Sequence, residues 1–345
     1  MEVISIVGTR PQYVKLAVVY HAFKALQVDH NYIDTGQHYS KSLSAEVITD
    51  LELPDPYLNL KAGESEPIKQ IASMIEGIAY AVKKIKPKFA LVYGDTNSTL
   101  AASIALCKSG VPFGHIEAGL RSFNKQMPEE INRIVSDHVS TRLYAPTKIA
   151  MRNLKEEGLE SKSILTGDLI VESLIKAADK KIGSIDKNST YLIATFHRQD
   201  NVDSKNRLEE LFFQLSLIPI EIRLFSHPRL LLQLKAFNIK ISKNIKIFQP
   251  VPHSQLLNYL RESIGIITDS GGLIKEAYVL GKTCTTVRNE VEWVETLEDN
   301  WNVLCTNLNE LSKIALRERP KNNPQKHFGN GDTTDLILKD IRSFV

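Results

Sequence analysis

The sequence predicts an α/β fold of two doubly wound domains, each a parallel sheet covered by helices, facing a shared ligand cleft. Short apolar, β-rich runs alternate with longer segments of helical period from end to end. The chain has 345 residues, which suits two domains at about 150 residues each. A polar stretch without apolar period, residues 180–189, separates two series of alternating segments and is the predicted linker.

The first half of the chain, residues 1–180, is predicted to form the N-terminal domain. Its helical segments include residues 14–27, 66–84 and 98–108. Its predicted strands are residues 2–8, 30–36, 89–95, 111–117, 142–146 and 163–167.

The second half repeats the pattern, and residues 190–331 are assigned to a C-terminal domain. Residues 319–331 are rich in Pro, Asn, Lys and Gly, and residues 332–345 contain a final amphipathic helix at 333–344. The predicted strands are residues 190–196, 221–226, 245–249, 264–268, 283–287 and 302–305.

Composition narrows the classes of partner. Lys+Arg 43 against Asp+Glu 40 gives a net charge of +3 without a long basic run, so neither nucleic acid nor a membrane surface is expected. No apolar run approaches the roughly 20 residues of a membrane span. The N-terminus lacks the pattern of a secretory signal, which predicts a cytoplasmic protein. Three distant cysteines, Cys107, Cys284 and Cys305, fit neither a disulfide framework nor a metal knuckle.

The turn after the first predicted strand is a candidate anion site. Gly8 permits a tight turn, Pro11 suits a helix start, and the helix N-terminus with Arg10 and Lys15 can hold an anion. The motif lacks both well-known phosphate-loop patterns. An ordinary strand-to-helix turn with two solvated cations is therefore an equal alternative.

Three carboxylates follow strands or begin a helix in the first domain: Asp95, Glu117 and Glu129. Taken singly they have simpler explanations. Asp95 can cap the next helix, as can Asn97 or Ser98, and the helix dipole explains Glu129. As a group they suit general acid–base chemistry, because clustered carboxylates raise one another's pKa. Strand alternation places His115 on the same face as Glu117.

Two segments of the second domain are candidate diphosphate sites. His197 follows the first strand of that domain and either donates to a leaving phosphate or is a surface histidine. Ser270, Gly271 and Gly272 connect a strand to a helix, so backbone amides, the hydroxyl and the helix dipole can bind a diphosphate. Glu276, one turn into that helix, can accept from ribose hydroxyls. The competing interpretation is a simple helix-start turn.

No cluster has metal-ligand spacing, and no nucleophile elbow is present, so metal-dependent and acyl-transfer chemistry are disfavoured. Neither a metal nor a cofactor is expected. Residues 288–296 follow another predicted strand and can form a wall of the site.

Taken together, these motifs resemble the UDP-N-acetylglucosamine 2-epimerase family across nearly the whole chain. That resemblance implies two Rossmann-like domains in the arrangement of the GT-B glycosyltransferases, with a C-terminal helix returning to the first domain. The motifs are Gly8-Thr9-Arg10-Pro11, Gly94-Asp95-Thr96, His115-Ile116-Glu117-Ala118-Gly119-Leu120-Arg121, Pro128-Glu129-Glu130-Ile131-Asn132-Arg133, His197-Arg198, Asp269-Ser270-Gly271-Gly272 and Gly329-Asn330-Gly331-Asp332.

The resemblance implies inversion at C2 of a UDP-linked 2-acetamido sugar, by elimination of UDP to a 2-acetamidoglucal and re-addition. It assigns the proton transfers to Asp95, Glu117 and Glu129, and assistance of the leaving diphosphate to His197. The resemblance implies that the sugar and phosphate site is lined by Arg10, Lys15 and Arg133. It implies that UDP is bound by Ser270, Gly271, Gly272 and Glu276. It also suggests a homodimer and a role in surface polysaccharide or protein glycan synthesis.

Several features keep alternatives open. In the motif after the first strand, Gln12 stands where the commonest form of the family has Glu. The resulting Arg-Pro-Gln sequence, together with residues 121–124 and 127–130, resembles the branch that acts on UDP-2,3-diacetamido-2,3-dideoxyglucuronate. Asp200 replaces the more usual Glu. Residues 37–40 differ from the forms activated by a second UDP-sugar, so allostery is not assumed. The rival functions are a hydrolysing epimerase that releases N-acetylmannosamine and UDP, a retaining glycosyltransferase and a non-catalytic UDP-sugar sensor.

Overall fold

The computed structural model describes most of the chain, and the described residues divide into two compact units. Unit 1 comprises Met1–Ala177 and His327–Val345, and unit 2 comprises Ala178–Lys326. The predicted linker, residues 180–189, lies outside the described residues. The described ranges are 2–37, 48–63, 66–179, 190–251, 253–291, 293–324 and 326–344.

Unit 1 contains a seven-stranded sheet in the order β3-β2-β1-β4-β5-β6-β7, in which all pairs are parallel. Its strands are β1 (Val3–Val7), β2 (His30–Asp34), β3 (Leu58–Asn59), β4 (Phe89–Tyr93), β5 (Phe113–Ile116), β6 (Arg142–Ala145) and β7 (Ser163–Leu165). The two-residue edge strand β3 was not predicted, because so short a segment has no periodicity to detect.

Helices cover both faces of this sheet. Val3 and Val7 of β1 point into one hydrophobic core and Ile4 and Ile6 into another, as the alternation of a strand requires. The described helices are α1 (Arg10–Ala25), α2 (Pro67–Ile85), α3 (Asn97–Lys108), α4 (Pro128–Val139), α5 (Lys148–Glu156), α6 (Leu169–Asp179) and, at the C-terminus, α13 (Thr333–Ile341).

Helix α1 begins four residues earlier than its predicted start at residue 14. Pro11 lies in the first turn, where its missing N–H costs no hydrogen bond. The side chain of Gln12 accepts from the backbone N–H of Thr9 at 3.2 Å, which satisfies a donor at the helix start. Local capping therefore extends the helix into a segment without apolar period.

The C-terminal segment packs within unit 1. Ile337, Leu338 and Ile341 of α13 are buried in the core that also contains Val3. Before this helix, Gly329 has φ +95°, and a Cβ there would lie 2.9 Å from the Cα of Gly167. Only glycine allows the two backbones to approach this closely.

Unit 2 repeats the topology with six strands in the order β10-β9-β8-β11-β12-β13, again all parallel. The fold-class prediction of two doubly wound layers is confirmed. The strands are β8 (Tyr191–Thr195), β9 (Glu221–Phe225), β10 (Ile245–Phe248), β11 (Gly265–Thr268), β12 (Thr283–Thr286) and β13 (Asn302–Leu304). The helices are α7 (Gln199–Val202), α8 (Lys205–Ser216), α9 (Pro228–Ala236), α10 (His253–Glu262), α11 (Gly271–Val279) and α12 (Leu311–Ala315).

The longest described helix, α2, has 19 residues, which is near the length that spans a bilayer. It is amphipathic instead: Met74 and Ile78 are buried, and Lys83 and Lys84 lie in its last turn. Among the helices of the described residues, none combines the length and apolar character that a membrane span needs.

Candidate active site

Strand order gathers three loops of unit 1 at one edge of the sheet. In this order β1 and β4 are neighbours, and the chain leaves β1 toward β2 but leaves β4 toward β5, in opposite directions across the sheet. Ligands of doubly wound folds bind beyond the carboxyl ends of the strands at such a point. The segments after β1, β4 and β5 therefore carry the candidate residues: Lys15 in the first turns of α1, and Asp95 and Glu117 in the loops after β4 and β5.

An ion pair joins two of these loops. The ammonium of Lys15, in α1, contacts Oε2 of Glu117, which follows β5. Glu117 has φ +72°, a left-handed conformation that ends the strand, so strand alternation does not set its direction. Gly94 makes room for the pair, because a Cβ there would lie 3.3 Å from Oε2 of Glu117 and 3.7 Å from Nζ of Lys15.

The surroundings of Lys15 are strongly anionic. Burial alone would lower the pKa of this lysine, because it penalises the charged form. The negative charges of Glu117, Asp168 and Asp95 outweigh that effect and raise the pKa of Lys15 above its ordinary value. Lys15 is therefore a fixed cation among carboxylates.

Asp95 makes the second ion pair of this cluster, with Arg133 of α4. The backbone carbonyl of Asp95 also accepts from Nδ2 of Asn132 at 2.9 Å. None of the expected caps begins α3: the helix is capped by Thr96, whose hydroxyl accepts from the N–H of Thr99 at 3.4 Å. The side chain of Asp95 is thus not used for capping.

A buried network supports the loop that carries Glu117. His115 places Nδ1 2.6 Å from Asp137 and Nε2 2.7 Å from the carbonyl oxygen of Gly94. Asp137 also pairs with Arg121 at 2.7 Å. Burial raises the pKa of Asp137, but its hydrogen bonds and electrostatic interactions with His115 and Arg121 lower it overall. Asp137 was missed at the sequence level, and its only signal is an acidic residue late in a helix.

The two adjacent glutamates at the start of α4 have different surroundings. Glu130 is buried and accepts from the N–H groups of Ser122 and Phe123 at 2.8 and 2.9 Å. Burial opposes its ionisation, yet these donors and Arg133 lower its pKa. Glu129 is exposed to solvent in the first turn of α4. Glu130 therefore shapes the loop, and the side chain of Glu129 is accessible.

In unit 2, Asp269 organises the segment that carries His197. Nδ1 of His197 lies 3.1 Å from Asp269, which also accepts from the backbone N–H of Arg198 and from Asn201, both at 3.1 Å. Burial raises the pKa of Asp269, but these donors lower it below its ordinary value. The His197 side chain itself is 47% exposed, so its imidazole is oriented yet accessible.

The turn from Ser270 to Gly272 opens helix α11 as predicted. The N–H of Ser270 donates to the hydroxyl of Thr268 at 3.0 Å, and its own side chain makes no capping bond. A Cβ on Gly272 would meet no atom within 4 Å, so space lies beside the first turn. The free N–H groups of a first helical turn can bind an anion there. Glu276, one turn further, is buried.

Some of the predicted residues thus come together in each unit. In unit 1 the structure brings together Lys15, Asp95, Glu117 and Arg133 through two ion pairs. Arg10 and Glu129 are exposed at the starts of α1 and α4 and take no part in these two ion pairs. His38, Tyr39 and Ser40, whose sequence was compared with the activated forms, lie outside the described residues.

Asp168 is a pocket residue that the sequence did not reveal. It lines a small pocket of unit 1 together with Lys15, Glu117 and Pro146. It directly precedes α6, and its Oδ1 accepts from the N–H of Ile170 at 2.7 Å. Because an aspartate before a helix is read as a cap, nothing in the sequence pointed to the pocket.

These features place the chain in the class of two-domain, doubly wound α/β enzymes. A family model described as UDP-N-acetylglucosamine 2-epimerase matches residues 21–342. The chain belongs to this family. The expected family membership, and with it the interpretation as an epimerase and therefore an isomerase, are confirmed.

Individual relatives cover almost the whole chain. A Methanococcus maripaludis protein described as a UDP-N-acetylglucosamine 2-epimerase homolog is 36% identical over 357 residues, covering 99% of this chain and 100% of that protein. The UDP-2,3-diacetamido-2,3-dideoxy-D-glucuronate 2-epimerase of Pseudomonas aeruginosa is 37% identical over 315 residues, 88% of each. The crystal structure of Methanocaldococcus jannaschii UDP-GlcNAc 2-epimerase in complex with UDP-GlcNAc and UDP matches with a TM-score of 0.84 at 35% identity, covering 99% of this chain and 100% of that one.

Proposed function

We propose that this chain inverts C2 of a UDP-linked 2-acetamido sugar, converting UDP-GlcNAc to UDP-ManNAc. The observation that carries the proposal is the pairing of Glu117 with Lys15 beside the pairing of Asp95 with Arg133. Two carboxylates with fixed cationic partners at one sheet edge suit proton transfer to and from carbon. The relative from Methanocaldococcus jannaschii was solved with UDP-GlcNAc and UDP.

The chemistry explains why more than one carboxylate is needed. The C2–H bond has no adjacent carbonyl to acidify it, so the proton leaves as the C1–O bond to UDP breaks. The products of this step are a 2-acetamidoglucal and UDP. When UDP adds back at C1, a proton is delivered to the opposite face of C2. Asp95, Glu117 and Glu129 supply the base and the acid for these transfers.

The leaving diphosphate carries negative charge that must be stabilised as the C1–O bond breaks. We assign this role in unit 2 to His197, held by Asp269, and to Ser270, Gly271 and Gly272 at the start of α11. Glu276 binds the nucleotide from the same helix. In unit 1, Arg10, Lys15 and Arg133 bind the sugar and its phosphates.

A second candidate substrate is UDP-2,3-diacetamido-2,3-dideoxyglucuronate. It is favoured by the Gln12 variant of the first motif and by a relative from Pseudomonas aeruginosa, named for that substrate, at 37% identity. The elimination and re-addition steps are the same, because both substrates carry a 2-acetamido group and a UDP leaving group.

Proton NMR in D2O tests the proposal directly. Purified protein is incubated with each of the two UDP-sugars in parallel. Deuterium at C2 of an intact manno-configured UDP-sugar is the expected result, and the faster reaction identifies the substrate. Free sugar together with UDP would indicate a hydrolysing enzyme instead. No exchange with either sugar would contradict the proposal and favour a non-catalytic sensor.

We also propose that the chain is a cytoplasmic homodimer that serves surface polysaccharide or protein glycan synthesis. A reaction on a UDP-linked sugar belongs where UDP-sugars are made and consumed. Light scattering during size-exclusion chromatography tests the dimer: a mass of about twice the 38.8 kDa of one chain is expected, and a mass of one chain would contradict it.

A further inference from the structure

Asp168 shares one small pocket with the charged pair of unit 1. The pocket is lined by Lys15, Glu117 and Asp168, together with Ile116, Pro146, Gly167 and Leu169. One cation and two carboxylates therefore face the same small space. The reaction assigned above uses Glu117 for proton transfer and does not use Asp168.

The C-terminal segment holds Asp168 in this position. The backbone N–H of Asp168 donates to the carbonyl oxygen of Phe328 at 2.9 Å. The hydroxyl of Thr333 donates to the carbonyl oxygen of Thr166 at 3.0 Å. The N–H of Ile170 donates to the carboxylate, so both the backbone and the side chain of Asp168 are hydrogen-bonded. Asp168 is almost fully buried.

A second carboxylate matters because the charge on Glu117 changes during the proposed reaction. While Glu117 is ionised, it neutralises Lys15 directly. When Glu117 carries a proton, it no longer offers a negative charge to the buried ammonium. A buried cation that loses its counter-ion is destabilised or loses its proton. Asp168 accepts no proton in the assigned reaction, so its charge persists through this step.

We propose that Asp168 is a positioning residue that keeps Lys15 charged and in place while Glu117 is neutral. The proposal deepens the function proposed above and rests on it. Asp95 does not perform this task, because Arg133 pairs with it and offsets its charge. The neighbouring charges that bear on Lys15 are those of Glu117, Asp168 and Asp95.

Titration of Lys15 tests the proposal without any substrate. Glu117→Gln imitates the neutral glutamate, and 13C-labelled lysine reports the charge of Lys15 through its Cε resonance, assigned by Lys15→Arg. In Glu117→Gln we expect Lys15 to remain charged at high pH. In Glu117→Gln with Asp168→Asn we expect its titration to move down by about one pH unit. Identical titrations in the two proteins would overturn the proposal.

Two further variants serve as a substitute and a control for the titration of Lys15. Asp168→Ser removes the charge but keeps a good helix cap, and it replaces Asp168→Asn if that protein does not fold. As a control, Asp335→Asn removes one exposed negative charge from α13, the helix of the C-terminal segment that contacts the Asp168 loop. We expect it to leave the titration of Lys15 unchanged.

Kinetics separates this role from a structural one. In Asp168→Asn alone we expect kcat to fall about tenfold with KM changed by less than about twofold, because Glu117 still pairs with Lys15 when substrate binds. In a Lys15→Met background the same change should have no further effect on the residual rate. Equal losses in both backgrounds would show that Asp168 does not act through Lys15. Failure of the wild-type protein to epimerise would refute the function but leave the titration result intact.

Discussion

Nε2 of Gln12 donates to the carbonyl oxygen of Tyr93 at 2.7 Å and thereby joins the start of α1 to the end of β4. The same side chain accepts, through Oε1, from the backbone N–H of Gly8 at 2.8 Å. It also donates to the hydroxyls of Thr96 and Thr99 at 2.9 and 3.0 Å. A carboxamide is suited to this position because it donates and accepts at once.

We therefore expect Gln12→Met to destabilise the protein. Methionine keeps the length of the side chain but leaves the N–H groups of Gly8 and Thr9 without this acceptor in a buried place. The expected loss is about 2–6 kcal/mol, since each of the two unsatisfied buried donors costs about 1–3 kcal/mol. Urea denaturation measures it. Gln126→Met, at an exposed position, is the control, and equal stability of the two variants would contradict this explanation.

The sequence shows that Gln12 departs from the common motif, but it does not show which groups the Gln12 side chain contacts. The reason is physical: its partner Tyr93 lies 81 residues away. Strands could be predicted well because buried runs such as residues 89–93 are apolar throughout. Side chains whose partners come from other loops leave no local pattern. Asp168 is similar, because its contact with Phe328 forms only when the C-terminal segment packs within unit 1.

Glu117→Gln should abolish turnover while leaving the nucleotide bound. The amide cannot exchange a proton with carbon, and general acid–base catalysis contributes about 100- to 10,000-fold. We expect a fall in kcat of that size and UDP affinity within about twofold, because the residues assigned to the nucleotide, among them Ser270 and Glu276, lie in unit 2 and are not altered. Rate assays and titration calorimetry measure the two effects.

A matched exchange distinguishes a chemical effect from a general loss of negative charge. Glu160→Gln removes one carboxylate at an exposed position of unit 1, where it pairs with Lys155 at 3.1 Å. It should leave both kcat and UDP affinity unchanged. Normal activity in Glu117→Gln would remove Glu117 from the mechanism.

The sequence also could not distinguish the two glutamates of α4, since helix-dipole pairing explains Glu129 and Glu130 equally well. The structure separates them by burial. Glu130 accepts from Ser122 and Phe123, which follow Arg121, whose side chain is buried, by one and two residues. That difference depends on where the preceding loop folds back, and residue type alone does not determine it.

Because His30 is buried, we expect the free energy of unfolding to fall in mild acid. Burial lowers the pKa of His30 to about 3 from an ordinary value of 6.5. Above about pH 6.5 the ring is neutral in both the folded and unfolded states, so its contribution is complete. As the pH falls below 6.5, only the unfolded state takes up the proton, and stability decreases by up to about 1.4 kcal/mol per pH unit until about pH 3.

Urea denaturation at pH 7 and pH 5 measures this dependence. In His30→Gln the part due to the histidine should disappear, so the difference between the two pH values should be smaller by about 2 kcal/mol. His138→Gln changes a half-exposed histidine and should keep the wild-type dependence. The explanation fails if His30→Gln loses as much stability between pH 7 and pH 5 as the wild type.

Lys162 fixes the C-terminal end of α4, the helix that carries Arg133. Its ammonium donates to the carbonyl oxygens of Asp137, His138 and Ser140 at 2.8, 2.9 and 2.8 Å. These groups have no partner within the helix, and a cation there also interacts favourably with the helix dipole. Lys162→Met should therefore cost about 1–3 kcal/mol of stability.

Hydrogen exchange distinguishes this local role from a general effect of charge. In Lys162→Met the last turn of α4 should exchange faster, because its carbonyls lose their common donor and the turn opens more readily. Lys155→Met removes an exposed lysine of α5 that pairs with Glu160, and it should leave exchange in α4 unchanged. Equal exchange in the two variants would show that the three carbonyls do not depend on Lys162. Arg133 lies on the same helix, so loosening the helix end should also weaken its ion pair with Asp95. We therefore expect kcat to fall in Lys162→Met but not in Lys155→Met.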